Sequence, residues 1–265
     1  MIAWSSYEIG SYRIPCPNCG RGPRDRTLGV TIEPYGSGVA HCFRCEHVAN
    51  YRPEDGARVV TSSKPSKTVS MRAKHETLSD YGRDLWAACR PLAGVALDYL
   101  TARACRIPPA DGGIRWHPSL KHPTGYAGPA LVALVTDAVT CQPLTLHRTW
   151  ITATAKAHVD PPRLLLGGHR KAGGVVRLWP DEAVTIGLSI AEGIETALSL
   201  ALGHAPVWAC IDAGNLKALP VLAGIESLVI GADHDAAGQS AANACAQRWA
   251  NAGRMVMVAG VEYGA

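Results

Sequence analysis

Short apolar runs alternate with helix-compatible segments from Val184 onward, and this alternation limits the fold more than any other feature of the chain. The apolar runs read VTIGLSIA, VWACI, SLVIGA and RMVMVA, and helical segments are expected between them at GIETALSLAL, residues 215–219 and residues 236–251. Strands that alternate with helices through short connections form a parallel sheet with right-handed crossovers. We therefore expect residues 181–265 to form a Rossmann-like α/β domain whose functional side chains lie at the carboxyl ends of its strands.

Three carboxylates occupy such strand ends. Glu192 ends the first apolar run, and Gly193 behind it permits a tight exit into the next helix. Asp233 and Asp235 follow the third run, and residues i and i+2 of an extended segment point the same way. An isolated Asp-x-Asp is more often a helix-capping loop, but the two motifs together, separated by a strand–helix unit, are specific. We predict that Glu192, Asp233 and Asp235 are functional residues that bind Mg²⁺ or Mn²⁺, which favour such oxygen ligands.

The cysteines predict a second metal site. The chain has nine, and four of them form two CxxC pairs, Cys16/Cys19 and Cys42/Cys45, with 22 residues between the pairs. Each pair can offer two thiolates to one ion, which together complete the Cys₄ site of structural zinc. The segments TLGVTI and VAHCF flank a Gly-rich turn and predict a β-hairpin. A zinc ribbon is the expected structure, with His41 and His47 as less favoured ligands and the five remaining cysteines as small buried hydrophobes.

Charge is distributed unevenly along the chain. The formal net charge is +4, but residues 1–75 and 76–180 each carry +5, whereas residues 181–265 carry −6. A basic front and an acidic rear suit a protein that holds a polyanion with one part and metal ions with another. Cations next to the cysteine pairs also offset the −2 charge of zinc with four thiolates; these are Arg21, Arg24, Arg26 and Arg44.

The basic residues that precede the acidic sheet are candidate ligands for nucleotide or DNA phosphates. We select Arg148 and Arg177 first, because they lie in apolar, strand-like runs where an unpaired charge is costly. The alternative is an exposed hairpin with ordinary surface cations. The full set of candidates is Arg148, Lys156, Arg163, Arg170, Lys171 and Arg177.

These patterns divide the chain into four parts. Residues 1–51 are expected to form a zinc-ribbon DNA-binding domain, and the polar, basic residues 52–78 a linker. Residues 79–180 are expected to form an α+β basic subdomain with helical spacing over 81–105 and strands at 129–136 and 145–151. The fourth part is the α/β domain of residues 181–265. The sequence has neither a long apolar run nor the pattern of a signal peptide. We therefore expect a cytoplasmic protein that does not bind or span a membrane.

Residues 184–260 resemble a TOPRIM domain, because Glu192, Asp233 and Asp235 match its invariant Glu and its DxD. A Cys₄ ribbon, a linker, a basic region and then TOPRIM is the order of DnaG-type primases and of phage or plasmid primases. The resemblance implies synthesis of short RNA primers on single-stranded DNA from ribonucleoside triphosphates, in a bacterial host, with a replicative helicase as a fused or separate partner. Family members carry further acidic residues after the last strand, so we expect the natural chain to continue past Ala265.

Two other functions stay open at this point. A different TOPRIM enzyme, a topoisomerase or a nuclease, would share the carboxylates, although Tyr81, Tyr99 and Tyr126 lack the context of a topoisomerase nucleophile and no P-loop motif is present. A non-catalytic DNA-binding module would keep the acids only to hold a structural metal. His234 is expected to be an outward-facing spacer, and Asp212 a helix cap or a support for the metal ligands.

Overall fold

The chain forms two compact units in the computed structural model, Met1–Ser70 and Met71–Ala265. The structure describes residues 2–20, 22–23, 25–33, 36–45, 47–51, 75–233 and 235–260. Most of the linker predicted at 52–78 lies outside these residues, as do Arg21, Arg24 and His234. The four-part division of the chain therefore stays a prediction.

The first unit contains a four-stranded antiparallel sheet in chain order, with strands β1 (Gly10–Ile14), β2 (Leu28–Ile32), β3 (Gly38–Cys42) and β4 (Val48–Tyr51). Alternate residues of β2 and β3 point into the core of this unit, because successive side chains of a strand face opposite sides. Leu28, Val30 and Ala40 are completely buried there. The predicted hairpin is confirmed as β2 and β3, whereas the flanking strands β1 and β4 were not predicted.

The second unit is built on a nine-stranded sheet. Its first elements in the chain are α1 (Asp80–Ala88), α2 (Val95–Ala102), β5 (Ile114–Lys121), β6 (Ala127–Asp137), β7 (Pro143–Trp150), β8 (Arg163–Leu165) and β9 (Gly174–Arg177). They are followed by β10 (Gly187–Ala191), α3 (Ile194–Leu200), β11 (Val207–Ala209), α4 (Ala213–Ala218), β12 (Ser227–Ala232), α5 (Ala236–Asn251) and β13 (Met255–Gly260). Each helix and strand predicted from residue 184 onward is present.

The strand order is β13-β12-β10-β11-β9-β6-β7-β8, and β5 pairs with β6 outside this path. Strands β10 to β13 are mutually parallel, as predicted from the alternating pattern. Beyond them, β9 pairs antiparallel with β11 and with β6, so the antiparallel strands of residues 114–177 continue the same sheet. The fold is therefore mixed α/β, and its basic and acidic parts share one sheet.

Helices cover both faces of the parallel strands. On one face α2 and α3 pack through completely buried residues such as Tyr99, Leu100 and Leu198. On the other face α4 and α5 contribute buried residues that include Leu216 and Trp249. This packing leaves the ends of these strands available to ligands.

Four of the five single cysteines are buried as predicted, namely Cys89, Cys105, Cys210 and Cys245. The prediction is wrong for Cys141, which is exposed. Cys141 lies in the turn between β6 and β7 with a φ of 61°, so the chain reverses there at the surface. No helix in the described part of the chain has the length and apolar character needed to cross a membrane.

Leu198→Ala is expected to lower the free energy of unfolding by about 2–5 kcal/mol, because it removes a completely buried side chain where α3 packs on the sheet. Leu202→Ala, a few residues further on, is the matched control, since Leu202 is 64% exposed. Chemical denaturation of both variants measures the difference. Equal losses for the two would contradict the packing described.

Candidate active site and metal centre

The four paired cysteines converge in the first unit. One ligand atom from each of them lies within 4.8 Å of the others. The Sγ atoms of Cys16 and Cys45 are 3.7 Å apart, and those of Cys19 and Cys42 are 3.5 Å apart. A tetrahedral ion with Zn–S bonds of about 2.3 Å requires Sγ separations of about 3.8 Å. The cluster therefore has the size of a metal site.

Backbone amides support these sulfurs. The amide of Asn18 donates to Cys16 Sγ and that of Arg44 to Cys42 Sγ, each over 3.4 Å. Burial opposes ionisation of the Cys42 thiol, yet the amide donors and neighbouring thiols bring its pKa down to about 6. Such amides stabilise thiolate, the form that binds metal.

The charges around the cluster are organised by Arg44. Its guanidinium forms a 2.6 Å ion pair with Asp25 and donates to the carbonyl of Cys19 over 3.0 Å. The hydrogen bond to Asp25 raises the pKa of Arg44. Arg44 thus holds the first CxxC loop as well as contributing positive charge. His41 does not join the cluster; its ring packs edge-on against Phe43.

Glu192 and Asp233 meet at one edge of the second unit's sheet. The parallel strands β10 and β12 are paired in register, with Ala191 opposite Gly231. Glu192 directly follows β10 and Asp233 directly follows β12, so both carboxylates leave the sheet at its carboxyl edge. The hydroxyl of Thr196 donates to Asp233 Oδ1 over 3.1 Å, which ties α3 to the second carboxylate.

A cavity of about 410 Å³ opens beside these carboxylates. Glu192 and Asp233 line it, and so do the cations Arg103, Lys156 and Arg163. The cavity therefore has acidic and basic groups on its walls. This combination can bind a metal ion and a phosphate chain side by side.

Burial and mutual repulsion raise the pKa of Glu192 on the acidic wall. Burial, followed by the charges of Asp233, Asp235 and Asp212, raises the pKa of Glu192 to about 7. Arg163 opposes this effect. A carboxylate crowded by three others binds a cation readily, since the cation removes the repulsion.

Two family models match the second unit. Residues 187–264 match a family described as Toprim domain, and residues 76–178 match a family described only as a domain of unknown function. This carboxyl-terminal part of the chain is a Toprim domain. No curated protein matches the sequence at a significant level.

Several solved primase structures are similar to the chain at low identity. The primase fragment of the bacteriophage T7 primase-helicase is 18% identical, with coverage of 95% of this chain and 90% of that one and a TM-score of 0.43. The Aquifex aeolicus primase is 14% identical, with coverage of 98% and 75% and a TM-score of 0.42. A Pseudomonas aeruginosa DNA primase domain is also 14% identical, with a TM-score of 0.36; 66% of this chain covers 54% of its length.

Asp235 has a different position from Glu192 and Asp233. It is the N-cap of α5, and its Oδ1 accepts the amide of Gly238 over 2.8 Å. Within the described residues, the four cysteines are the only group of three or more potential ligands with atoms within 4.8 Å of one another. Asp235 therefore adds negative charge beside the cavity while its carboxylate caps a helix.

The predicted basic residues fall into two groups. Lys156 and Arg163 lie on the cavity wall, as a phosphate-binding role requires. The other four interact mainly with the protein. Arg148 is 8% exposed and donates to the carbonyl of Leu165 over 3.0 Å.

The remaining three cations form ion pairs. Arg170 pairs with Asp137 at 2.9 Å, and Lys171 pairs with Asp212, the N-cap of α4, at 2.9 Å. Arg177 pairs with Asp181 at 2.7 Å and also donates to carbonyls of the β6–β7 turn. Each of these three cations therefore has an acidic partner within the fold. A role for them in binding DNA stays a prediction.

Sequence reasoning missed three residues that line the cavity, Arg103, His147 and Glu195. The Glu195 carboxylate forms an ion pair with the Lys156 ammonium at 3.1 Å and accepts a hydrogen bond from the Tyr99 hydroxyl over 2.8 Å. Although burial opposes ionisation, these donors hold the pKa of Glu195 at about 2. A signal was present, because Glu195 lies in the first turn of an apolar helix, where a buried acid needs a partner.

Cys42→Ser is expected to abolish tight metal binding, since a cluster of this size depends on all four thiolates. In small finger peptides the binding energy of zinc, about 10–16 kcal/mol, is largely folding energy. Elemental analysis should therefore find no bound metal, and the first unit should lose its cooperative unfolding, while the Toprim domain stays folded. Cys141→Ser is the control, because Cys141 is exposed and outside the cluster. A native protein that contains no metal would contradict the assignment.

Asp235→Ala should lower the free energy of unfolding by about 1 kcal/mol, the typical cost of removing an N-cap. Asp235→Asn keeps an oxygen that can accept the Gly238 amide and should change stability far less. Thermal denaturation of the two variants separates the cap from the charge. The capping role is excluded if Asn and Ala are equally destabilising.

Proposed function

We propose that this protein is a DNA primase that makes short RNA primers on a single-stranded DNA template from ribonucleoside triphosphates by metal-dependent nucleotidyl transfer. The observation that carries the proposal is the cavity beside the Toprim carboxyl edge. Its walls are lined both by Glu192 and Asp233 and by Lys156 and Arg163. Nucleotidyl transfer needs both kinds of group, since a triphosphate must be held and the charge that develops on it must be neutralised.

Glu192 and Asp233 would hold Mg²⁺ or Mn²⁺, with Asp235 adding charge nearby. The donor set fits, because carboxylate oxygens are the ligands these hard ions prefer. When bound, the ion lowers the pKa of the attacking 3′-hydroxyl and neutralises charge on the phosphate. The Thr196 hydroxyl orients Asp233 through its 3.1 Å hydrogen bond, so one ligand is fixed before any ion arrives.

Lys156 and Arg163 would bind the triphosphate and orient it toward the carboxylates. Both line the cavity, and the Lys156 side chain is 30% exposed, so its ammonium can reach a ligand. Arg103, which also lines the cavity, is a third cation for the same task. Positioning of this kind supplies a large part of catalysis in phosphoryl and nucleotidyl transfer.

The Cys₄ cluster would hold structural zinc, and its ribbon would contact the template. The Phe43 side chain is 60% exposed, and the Arg13 guanidinium lies 4.1 Å from its ring centroid. An exposed aromatic ring beside a cation can stack on a base while the cation meets the backbone. A replicative helicase, fused or separate, is the partner that this function implies.

Asp233→Asn and Glu192→Gln are expected to reduce dinucleotide synthesis by several orders of magnitude, because each removes a charged ligand of the catalytic ion. Stability should change little, since repulsion among clustered carboxylates is relieved. The measurement is dinucleotide formation per folded molecule together with thermal unfolding. Asp181→Asn, which removes an acid at the Arg177 ion pair instead, is the matched control and should keep its activity.

Two results would overturn the proposal. Near-native synthesis by both cavity variants would mean that the active site lies elsewhere. Cleavage or relaxation of DNA by the native protein, without primer synthesis, would assign it to the nuclease or topoisomerase branch of Toprim enzymes.

A further inference from the structure

One buried carboxylate links the Toprim domain to the region that precedes it. Glu195 lies in the first turn of α3 and is 8% exposed. Its Oε1 atom accepts two donors, the Tyr99 hydroxyl over 2.8 Å and the Lys156 ammonium over 3.1 Å. Both donors come from residues 76–178, the region whose family has no assigned function. The side chains of Tyr99, Glu195 and Lys156 form a series of contacts that runs from a buried helix to the cavity wall.

The inner end of this series is fixed by packing. Tyr99 is completely buried on α2 and has no freedom to follow a moving partner. The segment after α2 is tied to α3 by Arg106, whose amide donates to the carbonyl of Leu198 over 3.0 Å and whose guanidinium donates to that of Ala201 over 2.9 Å. The Tyr99 hydroxyl is therefore a fixed reference point for the Glu195 carboxylate.

The outer end would be loose without an anchor. Lys156 follows a tight turn at 152–155, in which the amide of Thr152 donates to the carbonyl of Ala155 over 2.7 Å. A lysine side chain has four rotatable bonds, and ordering it costs conformational entropy. The ion pair with Glu195 meets that cost before a ligand arrives and keeps the ammonium on the wall that Glu192 also lines.

We propose that Tyr99 is a positioning residue that acts through Glu195 to hold the Lys156 ammonium where it binds a phosphate of the incoming nucleoside triphosphate. Lys156 touches the ligand, whereas Tyr99 and Glu195 set its place. The inference rests on the proposed function, because it assigns a triphosphate to the cavity. It also gives the preceding region a task, which is to supply both the cation and its support.

A phenylalanine at position 99 would keep the buried ring but remove the donor. Glu195 would then keep one of its two partners and could turn with Lys156 as a pair. Only part of the contribution of the lost hydrogen bond is transmitted to the ligand, because the Lys156 ammonium keeps its own contact with the phosphate. Tyr99→Phe should therefore weaken binding of ATP about fivefold, whereas Lys156→Met, which removes the contact itself, should weaken it tenfold or more.

The experiment is a double-mutant cycle on ATP binding, measured by calorimetry with Mg²⁺ on the full chain. The four proteins are the native chain, Tyr99→Phe, Lys156→Met and the double variant. Tyr126→Phe is the matched control, because Tyr126 is 37% exposed and outside this chain of contacts. If Tyr99 acts through Lys156, the Tyr99 substitution has no further effect once Lys156 is gone.

Other outcomes separate the claims. Suppose that the native protein binds ATP, but Tyr99→Phe either has no effect or weakens ATP binding equally in the native and Lys156→Met backgrounds. This result overturns the positioning role and leaves the proposed function standing. A native protein that does not bind ATP overturns both. Should Tyr99→Phe fail to fold, Glu195→Gln takes its place, because it keeps the shape and an acceptor for Tyr99 but removes the ion pair. Its loss of affinity must likewise vanish in the Lys156→Met background.

Discussion

The parallel pairing of two strands brings the carboxylates of the candidate site to one edge of the sheet. Because β10 and β12 are parallel and pair with Ala191 opposite Gly231, Glu192 and Asp233 emerge at the same carboxyl edge, one residue apart in register. Helices pack on both faces, so the strand edge is the place where polar groups can gather around a ligand.

The region before the Toprim domain completes the site by extending the sheet. Strand β9 pairs antiparallel with β11, and β6 and β7 follow it, which carries Lys156 and Arg163 to the cavity that Glu192 borders. The −6 charge of residues 181–265 and the +5 charge of residues 76–180 thus meet within one fold. The ion pair between Glu195 and Lys156 is one direct electrostatic contact between the two parts.

Local patterns predicted what depends on local chemistry. The CxxC spacing predicted the cysteine cluster, and the alternation of strands and helices predicted the parallel sheet with Glu192 and Asp233 at its edge. The sequence also raised both roles for Asp235, and the structure places it as a helix cap beside the cavity. What could not be predicted depends on pairing between distant segments. Tyr99 and Glu195 are 96 positions apart, and no local signal indicates that contact.

The central claim is that Glu192 and Asp233 bind a divalent cation beside a triphosphate held by Lys156 and Arg163. The most direct test is an anomalous difference map from crystals of the full chain grown with Mn²⁺ and a non-hydrolysable ribonucleoside triphosphate. A manganese peak is expected within coordination distance of both carboxylates, with the phosphates extending toward the two cations. A map in which manganese binds only elsewhere, or in which the triphosphate avoids the cavity, would contradict it.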